Sequence, residues 1–261
     1  MFTRIVSGLV GLIIFCIVMF TEKTVLSVGI CLISLIGLWE IYHAFSYHKH
    51  RVVVPLGILS SVIFAFGDFL GGKLTFAFVF VVFLAGVVLM LTHHEKGDFT
   101  TKDAATLMFF TLAIPLIFSM LRYIRNMENG NILAWLPFIV SWLTDTFAYF
   151  TGRFFGKNKL CEKISPKKTV EGAIGGIVGA VIGCVVFGLI DNSLPLYFLI
   201  PFGMSGSVLS QMGDLFASCI KREYGIKDFG NIMPGHGGVL DRFDSLLLTI
   251  PYTYIFLMLF I

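Results

Sequence analysis

Residues 170–190 read VEGAIGGIVGAVIGCVVFGLI. From Gly172 to Ile190 the run carries no charge, and it has the roughly 20 residues that an α-helix needs to cross a bilayer. Short segments of alternating hydrophobicity, the mark of a membrane β-barrel, are absent from it. Gly172, Gly175, Gly176, Gly179 and Gly183 overlap in G-x-x-x-G spacings, so this helix is expected to lie tightly against a neighbour.

The run is one of several. Mean hydropathy is +0.90 and only 13% of the 261 residues are charged, against roughly 25% in a soluble domain. The chain reads as an all-α polytopic membrane protein with about nine transmembrane helices. The expected spans are Ile5–Phe20, Val25–Tyr47, Val52–Leu70, Leu74–Thr92, Ala104–Tyr123, Ile132–Phe155, Val170–Ile190, Leu196–Ile220 and Asp241–Ile261. Residues 1–130 read as N-terminal scaffold helices with few polar side chains and short connections. Residues 131–261 read as a C-terminal catalytic helix bundle with two polar loops, 156–169 and 221–240. The first apolar run is long for a signal peptide and no small-residue cleavage site follows it, so no cleaved leader is expected. Cys16, Cys31, Cys161, Cys184 and Cys219 are scattered, without metal-type pairing or an implied disulfide. No repeat is visible, nor the paired broken helices of many transporters.

Basic residues orient the chain. With the N-terminus in the cytoplasm, fifteen of the 19 Lys and Arg fall on that side: Arg4, Lys49, Arg51, Lys96, Lys102, Arg153, Lys157, Lys159, Lys163, Lys167, Lys168, Lys221, Arg222, Lys227 and Arg242. Only Lys23, Lys73, Arg122 and Arg125 fall opposite. Both long loops therefore belong to the cytoplasmic face.

The chemistry concentrates between Gln211 and Ser245. Gln211, Asp214, Ser218 and Lys221 share one face of the eighth helix, a polar face inside an apolar span that has to look into protein or a wet cavity. A buried hydrogen-bond network is the plainer reading of Gln211 and Ser218. An ionised Asp214 needs a cation partner. Asp241 and Asp244, at i and i+3 of the expected ninth helix, suit its N-terminus, but two aspartates facing helix eight also make a shared cation site. Oxygen ligands of this kind select Mg²⁺ over zinc. In the intervening loop, Lys221, Arg222 and Lys227 supply charge for phosphate oxygens, and Gly237-Gly238 allow close backbone approach. His236 is a candidate phosphate donor. Upstream, Lys167 and Lys168 flank a helix N-terminus that Ser165 or Thr169 caps, with Glu171 in its first turn. Asp145, deep in the sixth span, should face the cavity. Glu40 and His43 read as interfacial residues and Asp68 as the end of the third span. His48, His50, His93 and His94 read as loop residues.

Ser218-x-Ile220-Lys221-Arg222, then Lys227-Asp228-x-Gly230, then Pro234-x-His236-Gly237-Gly238-x-x-Asp241-Arg242-x-Asp244 resembles the signature of the phosphatidate cytidylyltransferases, or CDP-diacylglycerol synthases. Met233 stands where that pattern usually has Leu, Ile or Phe. Asp145 and Ser165-Pro166-Lys167-Lys168-Thr169-x-Glu171-Gly172 also resemble the family, whereas the N-terminal third matches only in being hydrophobic. The resemblance implies transfer of CMP from CTP to phosphatidate with release of pyrophosphate, Mg²⁺ dependence, a second monovalent cation such as K⁺, and a homodimer. On that footing Asp214, Asp241 and Asp244 hold the cation, with Asp145 and Gln211 as weaker candidates. Lys221, Arg222, Lys227, Lys167, Lys168 and Arg242 meet substrate phosphates, Gly237-Gly238 approach them, and Ser218 and His236 orient oxygens. The expected partners are CTP, phosphatidate and the lipid bilayer, not nucleic acid. The expected place is a bacterial inner membrane with the site on its cytoplasmic face. The alternatives are an ion-coupled transporter built on the carboxylates and a scaffold that holds anionic lipid.

Overall fold

The computed structural model describes residues 2–67, 72–93, 99–233, 235 and 237–260. Asp68, His94, Lys96, Pro234 and His236 lie outside the described residues. Among the described residues the long helices are, in order, α1 (Phe2–Phe20), α2 (Lys23–Ala44), α3 (Val53–Ala65), α4 (Gly72–His93), α5 (Thr101–Asn126), α6 (Leu136–Phe155), α7 (Val170–Ile190), α8 (Leu196–Glu223) and α9 (Leu246–Phe260). A one-turn helix, Gly130–Leu133, precedes α6.

Among the described residues five helical stretches are long and apolar enough to cross a membrane: Lys23–Ala44, Leu74–His93, Thr101–Asn126, Gly130–Phe155 and Val170–Ile190. Gly8–Phe20, Val53–Ala65 and Leu246–Phe260 are apolar but shorter. At 28 residues α8 would reach about 42 Å, but its Ser, Gly and Gln content dilutes its hydropathy.

Two regions differ from expectation. The ninth helix begins at Leu246, not Asp241. Asp241 sits in a 3₁₀ turn, Leu240–Arg242, and Asp244 lies in the following turn, where its Oδ1 accepts the Ser245 N–H at 2.9 Å. Asp side chains compete in this way with helical hydrogen bonding, so the two aspartates do not share a helical face. The first polar loop contains an antiparallel pair, β1 (Lys159–Cys161) and β2 (Ser165–Thr169), with Lys159 opposite Thr169 and Cys161 opposite Ser165. Ser165 is thus in a strand, and Thr169 is the cap: its Oγ1 accepts the Gly172 N–H at 3.1 Å. Glu171 accepts the N–H groups of Lys157 and Asn158 (3.1 and 3.2 Å) and pins the loop. Thr169→Ala should cost about 1 kcal/mol of stability through the lost cap, read as a lower Tm in detergent; an unchanged Tm would count against it.

The chain forms two compact units. Residues 1–122 with 228–241 make the first. Within it, Leu56, Ile63 and Phe64 of α3 pack with Phe78 and Val82 of α4. Tyr42 Oη and Thr111 Oγ1, 2.7 Å apart and buried, join α2 to α5. Residues 123–227 with 242–261 make the second unit. Its frame is the α6–α7 pair. A Cβ on Gly172 would lie 2.8 Å from the Ala148 carbonyl oxygen, and one on Gly176 would lie 3.0 Å from that of Thr144. These are backbone atoms of α6, so only glycine admits the approach, as the G-x-x-x-G spacing predicts. Thr144 donates to Ser207 of α8 at 2.9 Å, Ser141 and Thr249 of α9 are 3.0 Å apart, and Phe202 stacks on Tyr252.

Candidate active site

Because α6 and α7 nearly touch, the side chains of the C-terminal half of α6, of β2 and the N-terminal end of α7, and of the adjoining face of α8 converge on one cleft of about 370 Å³. Asp145, Arg153, Lys167, Lys168, Gln211 and Asp214 supply its polar lining. Gln211 and Asp214 of α8 therefore face the cleft, while Ser218, one turn further on, is not among its lining residues.

Asp214 Oδ2 pairs with Lys168 Nζ at 2.6 Å, and Ser218 Oγ donates to its Oδ1 at 3.3 Å. Gln211 Nε2 donates to the Ala173 carbonyl at 3.2 Å, tying α8 to α7. Arg153 donates from Nη1 to Tyr149 Oη at 2.9 Å, which holds the guanidinium at the cleft wall. Beside these lies Asp244, whose Oδ2 is 3.9 Å from Lys221 Nζ. Its turn can come close to α8 because position 213 is glycine: a Cβ there would sit 2.8 Å from the Asp244 carbonyl oxygen. Ser245 links two acids, donating from Oγ to Asp145 Oδ2 at 3.3 Å and, more weakly, to Asp244 Oδ1 at 3.5 Å. Burial first, then the neighbouring Asp214 carboxylate, pushes the Asp244 carboxyl up to about 7, against the pull of Lys221.

Asp145, Asp214 and Asp244 are thus mutually repelling oxygen groups offset by Lys168 and Lys221. That donor set fits a hard divalent cation such as Mg²⁺. Among the described residues no three His, Cys, Asp or Glu side chains converge tightly enough to enclose an ion unaided. Mg²⁺ does not need such a cage, since it is commonly held by one or two carboxylates together with substrate phosphates.

The remaining expected residues divide between the two units. Arg222 and Arg242 are exposed in the second unit, and Lys227 is its exposed last residue before residue 228. Asp241, Gly237 and Gly238 belong to the first unit, in the loop 228–241. Asp241 is buried, and its Oδ2 accepts the N–H groups of Phe229 (2.8 Å) and Gly238 (2.9 Å). Gly237 has φ +84°, a left-handed conformation that suits glycine.

Several participants had no assigned role in the sequence. Ser245, Gly213 and Arg153 carried no spacing signal. Glu40 had one, as an acid inside an apolar helix, but reads there as interfacial. It is 2% exposed, and its carboxylate accepts two loop N–H groups, Val239 to Oε1 at 2.8 Å and Leu240 to Oε2 at 2.9 Å.

Comparison with known proteins bears on what this arrangement is for. The sequence profile of the cytidylyltransferase family matches residues 2–260. A phosphatidate cytidylyltransferase of Bacillus subtilis is 39% identical over 181 residues, covering 68% of this chain and 67% of that protein. The phosphatidate cytidylyltransferase of Staphylococcus haemolyticus is 31% identical over 262 residues, 97% of this chain and 98% of its own. That of Thermotoga maritima is 35% identical over 182 residues, 67% of each chain. The likeness runs the length of the chain and includes the hydrophobic N-terminal third that the motif residues alone leave unmatched. The chain belongs to the cytidylyltransferase family, a family of nucleotidyltransferases.

Proposed function

We propose that the chain transfers the cytidylyl group of CTP to phosphatidate, giving CDP-diacylglycerol and pyrophosphate. The observation that carries this reading is the cleft, where Asp145 and Asp214 meet Arg153, Lys167 and Lys168 in a chain whose relatives bear the name phosphatidate cytidylyltransferase. Carboxylates and cations side by side suit phosphoryl chemistry, which depends on positioning and charge neutralisation.

In the proposed reaction a phosphate oxygen of phosphatidate attacks the α-phosphorus of CTP. The new O–P bond forms as the bond from that phosphorus to the bridging oxygen of the β-phosphate breaks, and pyrophosphate leaves with the electron pair. No covalent intermediate with the protein is needed. Asp214, with Asp145 and Asp244, would hold Mg²⁺, which supplies charge neutralisation at phosphate oxygens. Lys168, Lys167 and Arg153 neutralise phosphate oxygens from the cleft wall, and Lys221 and Arg222 add positive charge at the end of α8. Ser218 and Gln211 keep the polar face of α8 in register, the first through Asp214 and the second through Ala173. Asp241 fixes the loop that carries Gly237 and Gly238. We place the cleft on the cytoplasmic side of a bacterial membrane, a placement supported by the distribution of Lys and Arg. The transporter alternative draws no support from the relatives.

The test uses the detergent-solubilised protein with phosphatidate, Mg²⁺ and base-labelled CTP. Label is expected in the organic phase only when lipid and Mg²⁺ are both present, with one pyrophosphate released per label transferred. EDTA should abolish transfer and excess Mg²⁺ restore it. Folded protein that moves no label across a range of anionic lipids and divalent cations would sink the reading.

A further inference from the structure

Asp145 reaches the cleft from α6, and among the described residues its hydrogen-bond partner is a single hydroxyl: Oδ2 accepts from Ser245 Oγ at 3.3 Å. Asp214, by comparison, is held by both Lys168 and Ser218. Ser245 is buried and turns both of its donors to acids. Its N–H goes to Asp244 Oδ1 at 2.9 Å, and its O–H goes to Asp145, with Asp244 Oδ1 3.5 Å off. A serine ahead of a helix ordinarily offers its oxygen to the N–H groups of the first turn. Ser245 stands directly ahead of α9, but its hydroxyl is turned to the acids. Its backbone is held from two sides. Thr249 Oγ1, one turn into α9, donates to the Ser245 carbonyl at 3.3 Å and stands 3.0 Å from Ser141 Oγ of α6. From α8, a Cβ on Gly213 would lie 3.1 Å from the Ser245 carbonyl oxygen and 3.3 Å from its Cα. Gly213 directly precedes Asp214. Thus α6, α8 and the turn ahead of α9, each carrying one acid, meet at one serine.

We propose that Ser245 is a positioning residue for the cation: with its O–H on Asp145 and its N–H on Asp244, it sets the carboxylates of two elements relative to one another so that both face one divalent ion. The inference rests on the function proposed above, in which Asp145, Asp214 and Asp244 hold Mg²⁺. Ser245 touches no reacting atom. An aspartate with no partner turns among several staggered rotamers, and the hydroxyl selects one of them for Asp145. Because the same residue's N–H holds Asp244, the two acids are fixed as a pair. At 3.3 Å the O–H bond is long, so it orients more than it stabilises. Residues that orient metal ligands in this way commonly change metal affinity by about 10–100-fold.

Ser245→Ala is expected to fold with a Tm close to the parent's. The Mg²⁺ concentration that half-saturates transfer should rise about tenfold, with kcat at saturating Mg²⁺ near the parent's. A second readout needs no turnover. With CTP present and lipid omitted, the Mg²⁺ concentration that half-raises Tm should increase by the same factor. Ser245→Thr keeps the hydroxyl and should recover most of the loss. Ser245→Cys keeps the shape with a weak donor; it should fall between the two, and it covers the case in which Ser245→Ala does not fold. Thr249→Val removes a hydroxyl from the same seam without touching an acid. It should lower Tm and leave both Mg²⁺ midpoints where they are. Parent-like midpoints in folded Ser245→Ala or Ser245→Cys would overturn the proposal. So would midpoints in Thr249→Val that move as far as those of Ser245→Ala, because the integrity of the seam would then be the cause. A parent that transfers label but whose Tm ignores Mg²⁺ would also overturn it. If the parent transfers no label at all, the proposed function fails, whereas an active parent with unaltered Ser245 variants fails this inference alone.

Discussion

Asp214→Asn is expected to give a folded protein whose cytidylyl transfer falls by about a thousandfold or more. Asparagine keeps the size of the side chain and an oxygen for Ser218 Oγ, which now stands 3.3 Å away. What disappears is the negative charge beside Lys168 Nζ, 2.6 Å distant. Stability should change little, because two effects oppose. Lys168 loses its partner, and Asp244 is relieved of a neighbouring charge that pushes its own carboxyl up. Losing one partner of a half-exposed pair costs little. The proposed cation site, in contrast, would lose one of its oxygen ligands. Turnover and Tm measured on the same preparation separate these effects. Turnover within tenfold of the parent would remove Asp214 from the site.

Gly176→Leu is expected to cost more stability than any other single change considered, about 3 kcal/mol or more. The new Cβ would stand 3.0 Å from a backbone carbonyl, that of Thr144, and 3.3 Å from the Ala148 Cβ. Neither can rotate away as the tip of a flexible side chain could. Thr144 is also bonded to Ser207 of α8, so pushing α6 off α7 strains a third helix and opens the cleft between their polar ends. The measurement is yield and Tm in detergent, with Ile174→Leu as a control on the exposed side of α7. A Gly176→Leu protein as stable as the control would mean that the seam is looser than its backbone contacts indicate.

The long apolar runs were legible because a bilayer reads length and hydropathy, which need no tertiary information. The seventh run matches α7 at both ends, Val170 and Ile190, where a Thr cap and an aspartate frame it. The ninth start misled because Asp241-Arg242-Phe243-Asp244 has helical spacing, yet partners distant in sequence decided its conformation: Asp241 is spent on Phe229 and Gly238. The short hairpin at 159–169 was missed for a related reason, since strands of three and five residues leave almost no periodicity. Of the site, Asp145 of α6 and the polar residues of α8 could be picked out by their cost in an apolar setting, and Lys167 and Lys168 by their place before a helix N-terminus. Ser245, Gly213 and Arg153 could not, because Ser, Gly and a loop-side Arg cost nothing there. Glu40 did carry the right signal, but its partners lie too far along the chain for spacing to reveal them.

That separation has a consequence for how the protein is made. Glu40 and its two donors are 199 and 200 positions apart. At roughly 5–20 residues per second, synthesis leaves an interval of about 10–40 s between them. For most of it α2 is outside the ribosome while Val239 and Leu240 do not yet exist. A carboxylate inside an apolar helix cannot settle in hydrocarbon unpaired at no cost, so the nascent chain must keep that end of α2 wet or sheltered until its last quarter arrives. The timing of membrane insertion, and not only the final fold, is thus written into one glutamate.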